Sequence, residues 1–120
     1  MTPRLLLVED SANVTDALRA LFEATGHEVA VAATVDEAVR ACAASPPDLM
    51  LLDLTLPDGD GLLVLERLRA QGLAAPRTAA MTGHDDPETA RRCAEAGCLA
   101  TLVKPVPTRE LVRRVEEWTA

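Results

Sequence analysis

Short aliphatic runs alternate along this chain with longer stretches whose apolar positions recur every three or four residues. Leu5-Leu6-Leu7-Val8, Leu49-Met50-Leu51-Leu52, Ala79-Ala80-Met81 and Leu102-Val103 are the runs. Val14/Leu18/Leu21/Phe22, Val35/Ala38/Val39/Cys42 and Leu111/Val112/Val115/Trp118 follow helical spacing instead. The pattern predicts five strands near 4–9, 28–32, 48–53, 77–82 and 99–104, with helices near 12–25, 35–44, 60–71, 87–96 and 109–118. Punctuation agrees: Thr34 with Glu37 makes a capping box, Asp86 precedes a proline suited to a first helical turn, and Thr108 stands where it can cap the last helix. Gly26, Gly72 and Gly97 sit where helices stop.

Strand and helix taking turns predicts an α/β fold, with a five-stranded parallel sheet doubly wound by five helices. Runs such as 5–8 and 49–52 are apolar on both faces, as central parallel strands covered by helices must be. The stretch 28–32 is more polar and belongs at an edge. In the doubly wound order 2-1-3-4-5 the crevice opens at the carboxyl ends of the first and third strands.

Chemistry collects at that edge. The runs end in Glu9-Asp10, Asp53, Thr82 and Lys104-Pro105, so three carboxylates, a hydroxyl and an ammonium converge. Two carboxylates about 4 Å apart repel by about 4 kcal/mol at an effective dielectric near 20, so the acidic cluster needs a cation. Oxygen ligands without His or Cys favour Mg²⁺ over zinc. Lys104 supplies a point charge, and Thr82 a hydroxyl donor, for a phosphoryl oxygen.

Composition narrows the alternatives. A length of 120 residues suits one domain over 1–120. A net charge of −7 argues against direct nucleic-acid binding. No apolar stretch approaches the roughly 20 residues that span a bilayer, and Met1-Thr2-Pro3-Arg4 shows no leader layout, so a cytoplasmic protein is expected. Cys42, Cys93 and Cys98 lack the spacing of a zinc site or disulfide frame and read as reduced structural thiols. His27 reads as a satisfied residue at a loop-strand junction. Asp58 and Asp60, around Pro57-Asp58-Gly59, are expected to serve the turn and the helix start.

Over its whole length the chain resembles the receiver domain of two-component response regulators, a flavodoxin-like fold. The resemblance rests on Glu9-Asp10, on Asp53 within Leu51-Leu52-Asp53-Leu54-Thr55-Leu56-Pro57, on Gly59-Asp60-Gly61, on Thr82-Gly83 and on Lys104-Pro105. It implies that Asp53 accepts a phosphoryl group from a phosphohistidine on a sensor histidine kinase or a histidine phosphotransfer domain. It further implies Mg²⁺ held by Asp10, Asp53 and the Thr55 backbone carbonyl, with Glu9 acting through water. Lys104 and Thr82 would contact the phosphoryl oxygens, and Pro105 would follow a cis bond that aims the lysine inward. Thr55 and His84 fall where receivers tune hydrolysis of the aspartyl phosphate. Such a domain assists its own phosphorylation and dephosphorylation but is a switch, not an enzyme in the ordinary sense.

Departures concern output. Thr101 stands where many receivers carry a reporting Tyr or Phe, the chain has no Tyr, and Val106 replaces a frequent Phe. The usual output surface offers Arg91, Arg92, Glu95, Arg113, Arg114 and Glu117, which read as solvated charges; the output partner is open, and a monomer or weak dimer is expected. No effector segment is expected after Trp118-Thr119-Ala120, and a stand-alone regulator, a relay intermediate and a receiver from a hybrid kinase are all compatible. The principal alternative is a pseudo-receiver working as an interaction module without phosphorylation. A hydrolase of the haloacid dehalogenase type would want a second Asp where Thr55 stands. Flavin binding would want a Ser/Thr/Gly-rich loop after the first strand.

Overall fold

Arg4–Val8 forms β1, and Ala12–Ala24, α1, carries the chain across to β2, Glu28–Ala32. Then come α2 (Val35–Ala44), β3 (Leu49–Asp53), a two-residue pair β4 (Thr55–Leu56) and β5 (Gly59–Asp60), and α3 (Leu63–Ala70). The chain finishes with β6 (Thr78–Thr82), α4 (Pro87–Glu95), β7 (Ala100–Val103) and α5 (Thr108–Thr119). This computed structural model describes residues 2–120; Met1, read above as part of a leaderless start, lies outside the described residues.

The main sheet runs β2-β1-β3-β6-β7, all parallel, which is the expected 2-1-3-4-5 order once the two short strands are set aside. As the alternation of side chains along a strand requires, β1 and β3 each feed two cores. Leu6, Val8, Met50 and Leu52 meet Val35, Val39, Val64, Leu65 and Leu68 of α2 and α3 on one face. Leu5, Leu7, Leu49 and Leu51 meet Phe22, Leu111 and Val115 of α1 and α5 on the other. Cys93 of α4 packs on Ala80 beside Leu54. Each fully buried Leu contributes roughly 1.5–3 kcal/mol, so strands buried on both faces hold the sheet's C-terminal edge rigidly.

Several expectations need correction. The stretch after β3 reads as turn and helix, yet it forms the antiparallel β4–β5 ribbon, Thr55 opposite Asp60 and Leu56 opposite Gly59. In consequence α3 starts at Leu63 rather than near 60. Asp60 serves that start, its Oδ1 accepting the Leu62 N–H at 2.9 Å. Asp58 serves a different helix: it accepts the Val35 and Asp36 N–H groups at 2.8 and 3.2 Å and so caps α2 together with Thr34. Thr108 does not cap α5; it is the first helical residue, Pro107 holds the cap position, and no side chain caps there. Ser11 caps α1, which the spacing of apolar residues did not reveal.

Other expectations hold. Asp86 caps α4 ahead of Pro87, and Gly26, Gly72 and Gly97 all take positive φ after helix ends. His27 is buried between the hydroxyls of Thr25 and Thr119, 3.1 Å from each. All three cysteines are free thiols; burial pushes Cys42 up to about 11, and burial with the neighbouring Cys93 pushes Cys98 up to about 12.

Candidate functional site

Register brings the site together. Val8 pairs with Leu52 across β1 and β3, so Glu9 and Asp10 leave β1 at the level where Asp53 ends β3. Asp53 pairs with Met81, and Thr82 with Val103, so Thr82 and Lys104 reach the same rim. Two backbone bonds pin it: Leu54 N–H to Met81 O at 3.0 Å and Lys104 N–H to Thr82 O at 2.7 Å.

Lys104 Nζ then bridges two buried carboxylates, 2.7 Å from Asp53 Oδ2 and 3.1 Å from Glu9 Oε2. The other Asp53 oxygen accepts the Thr55 N–H at 2.9 Å. Carboxylate oxygens of Glu9, Asp10 and Asp53 all lie within 4.8 Å of one another, with Asp10 exposed between the two buried acids and solvent. Thr82 is buried, and its Oγ1 accepts the His84 N–H at 3.0 Å, which leaves its own hydrogen to be donated. The Lys104-Pro105 bond is cis.

The rim tolerates little bulk. Gly61 N–H bonds Leu54 O at 2.9 Å, and this return of the chain brings it against β3. A Cβ at Gly61 would lie 2.1 Å from the Asp53 carbonyl oxygen, so only glycine fits.

Electrostatics separates the two buried acids. Burial lifts the Glu9 carboxyl above its ordinary value, and contact with Asp53 adds to the lift. Burial alone would raise Asp53 too, but hydrogen bonds with Glu9, Lys104 and the Thr55 N–H hold it below the usual range. Desolvation works against the Lys104 charge, and its bonds to Asp53 and Glu9 outweigh it, so the ammonium is held more firmly than usual. The two carboxyls are thus pushed in opposite directions, Glu9 toward holding a proton and Asp53 toward the carboxylate.

The donor set suits a hard divalent cation: carboxylate oxygens only, three of them converging, with one acid open to solvent. Beside it lies a mostly apolar groove of about 450 Å³ lined by Val14, Leu18, Met81, Pro105, Val106 and Leu111, together with Glu9 and Lys104.

Every expected contact residue is thus at one rim, and the expected modulators are placed less uniformly. Thr55 touches Asp53 directly. His84 is exposed, and it reaches the site through its backbone N–H on Thr82. Thr101 is half-buried in β7 beside Ala80. Two contacts escaped the sequence: the Ser11 N–H on Glu9 Oε1 at 3.3 Å, and an ion pair between Arg92 of α4 and Asp60 of the ribbon. Arg92 reads as a solvated charge, and a partner 32 residues away leaves no periodic trace.

One family pattern, the response regulator receiver domain, matches residues 5–116. The chain belongs to that family. Among curated relatives, the transcriptional regulatory protein PrrA of Mycobacterium tuberculosis is 34% identical over 115 residues, 96% of this chain and 49% of its own length. The swarming motility regulation protein RssB of Serratia marcescens is 37% identical over 112 residues, 93% of this chain and 51% of that one. The receiver thus spans about half the length of these relatives. Among solved structures, the signal receiver domain of a putative LuxO repressor from Vibrio parahaemolyticus superposes with a TM-score of 0.90 at 26% identity, covering 99% of this chain and 91% of that one. A CheY-like receiver domain protein from Methanospirillum hungatei JF-1 gives 0.86 at 29% identity, with 98% and 93% covered. Among the described residues no helix is long and apolar enough to cross a membrane.

Proposed function

We propose that this receiver is a phosphoryl-accepting switch of a two-component system or phosphorelay, with Asp53 as acceptor. An Asp53 carboxylate oxygen attacks the phosphorus of a phosphohistidine on a sensor histidine kinase or phosphotransfer domain. The P–N bond breaks, its electron pair returns to the imidazole, and an aspartyl phosphate remains. Lys104, already on Asp53, meets the charge on the transferring oxygens, and Thr82 donates its free hydrogen to one of them. Asp10, Asp53 and the Thr55 carbonyl, with Glu9 through water, would hold Mg²⁺, which neutralises phosphoryl charge when bound. The apolar groove beside Lys104 is suited to the donor's own apolar side chains, and its position keeps that donor within reach of Asp53.

The observation that carries this reading is the Lys104 amine seated 2.7 Å from the buried Asp53 side chain with two further acidic groups alongside. No turnover of a separate substrate is needed, so the chain acts as a switch that assists its own phosphorylation and dephosphorylation. Thr55, bonded to Asp53, and His84, bonded to Thr82, would set how long the phosphoryl group persists. Incubation with acetyl phosphate and Mg²⁺, read by intact mass, should add one phosphoryl group to wild type and none to Asp53→Ala. A wild-type chain that stays unlabelled overturns the reading and leaves a phosphorylation-independent interaction module.

A further inference from the structure

The ion pair between Arg92 and Asp60 is placed unlike the other charges of α4. Arg91, its neighbour in sequence, is spent on its own helix, on Glu88 and on Glu95 at 2.7 Å. Arg92 leaves the helix and joins the ribbon that follows the acceptor strand. Asp60 is there held three ways: by Arg92 through Oδ2, by the Leu62 N–H through Oδ1, and by ribbon pairing opposite Thr55. Thr55 in turn donates its N–H to Asp53.

The other end is equally fixed. Asp86 accepts the Thr89 N–H at 2.8 Å at the start of α4, and Cys93 is buried on Ala80. At the far end the Cys98 N–H returns to Cys93 O at 3.0 Å, with Gly97 at φ +93, the left-handed helix stop that only glycine takes freely. The loop leading into α4 begins at Thr82 and is tied to it by the His84 N–H. Arg92 therefore ties the last turn of α4, the helix that follows the Thr82 loop, to the ribbon that carries Thr55.

We propose that Arg92 and Asp60 form a strut that positions Thr55 relative to Asp53 and Thr82, and so sets both magnesium affinity and phosphoryl lifetime. The inference rests on the reading of Asp53 as phosphoacceptor. Neither residue touches the reacting atoms; both act through Thr55. The pair is half-exposed, so little global stability rides on it and its variants should fold.

The test is a double-mutant cycle of Asp60→Asn, Arg92→Gln and the combination, with Arg92→Lys as the conservative variant. Asn keeps an acceptor for Leu62 and removes only the charge. Calorimetric titration with Mg²⁺ alone should show affinity weakened about threefold in each single variant, with the double variant no worse than either. In the metal-free chain the Thr55 amide should exchange with solvent faster by a similar factor, and the aspartyl phosphate should decay at an altered rate. Arg92→Lys should recover most of each effect. Wild-type values in all variants, or strictly additive losses, would refute the strut. A wild-type chain that neither binds magnesium nor takes a phosphoryl group would instead refute the acceptor chemistry.

Discussion

Lys104 Nζ lies 2.7 Å from Asp53 Oδ2, across 51 residues of sequence. The contact exists because β3 and β7 both end at one rim with β6 between them, and it places an ammonium against the proposed acceptor. Removing it should separate chemistry from folding. Lys104→Ala is expected to keep the fold and lose about a hundredfold in the rate of labelling by acetyl phosphate, the usual cost of deleting a donor aimed at developing charge. Time courses followed by intact mass would check this, and a loss below fivefold would contradict the role given to the ammonium.

Gly61 sets a second expectation. Its missing side chain leaves room for the Asp53 carbonyl, and a methyl group there would intrude to 2.1 Å. Gly61→Ala should therefore destabilise the domain by about 1–3 kcal/mol, as overpacking does, and slow phosphoryl uptake because the displaced atoms belong to Asp53, the proposed acceptor. Urea unfolding and labelling on the same preparation would check the pairing of the two effects. Unchanged labelling beside lowered stability would show that Asp53 absorbs the strain without moving its carboxylate.

Asp58 gives a pH dependence with a definite sign. The Val35 N–H, aided by the Asp36 N–H, holds its carboxyl below the usual range. Its contribution to stability is therefore complete above the unfolded-state value near pH 4 and is lost as pH falls through the lower folded value. Asp58→Asn should lower the urea midpoint by a constant amount at neutral pH, and the gap to wild type should close under acid conditions. A gap that ignores pH would assign the effect to shape rather than charge.

These predictions draw unequally on what the sequence displays. Glu9, Asp10, Asp53, Thr82 and Lys104 are legible because each ends an apolar run, and parallel strands must gather such ends at one edge. The β4–β5 ribbon is not legible, since two-residue strands are too short to show alternation, and Pro57-Asp58-Gly59 reads as any turn would. Asp58 on α2 and Arg92 on Asp60 depend on separations of 23 and 32 residues set by packing alone. The cis Lys104-Pro105 bond follows from family resemblance, because the bare tendency of such bonds is only about 5%. Thr108 shows the opposite error: a good capping residue is overruled when Pro107, with φ −57 and its carbonyl on the Leu111 N–H, begins the helix one residue earlier.

Thr82 and Thr101 bear on how far the signal travels. The Thr82 hydroxyl is buried and already accepts the His84 N–H, so a phosphoryl oxygen drawing on its hydrogen would pull on the loop into α4. Thr101 sits on the neighbouring strand beside Ala80, and with no large ring at that position there is no aromatic side chain to swing outward. Beryllofluoride, standing in for the phosphoryl group on Asp53, should therefore shift amide resonances mainly in 54–62 and 83–86, with small changes at Thr101. Thr82→Ser, which keeps the hydroxyl, should preserve the shifts in 83–86, and Thr82→Ala should shrink them while leaving those in 54–62. A rearrangement spreading across 87–118 in the wild type would show that this receiver transmits through α4, β7 and α5 without an aromatic reporter.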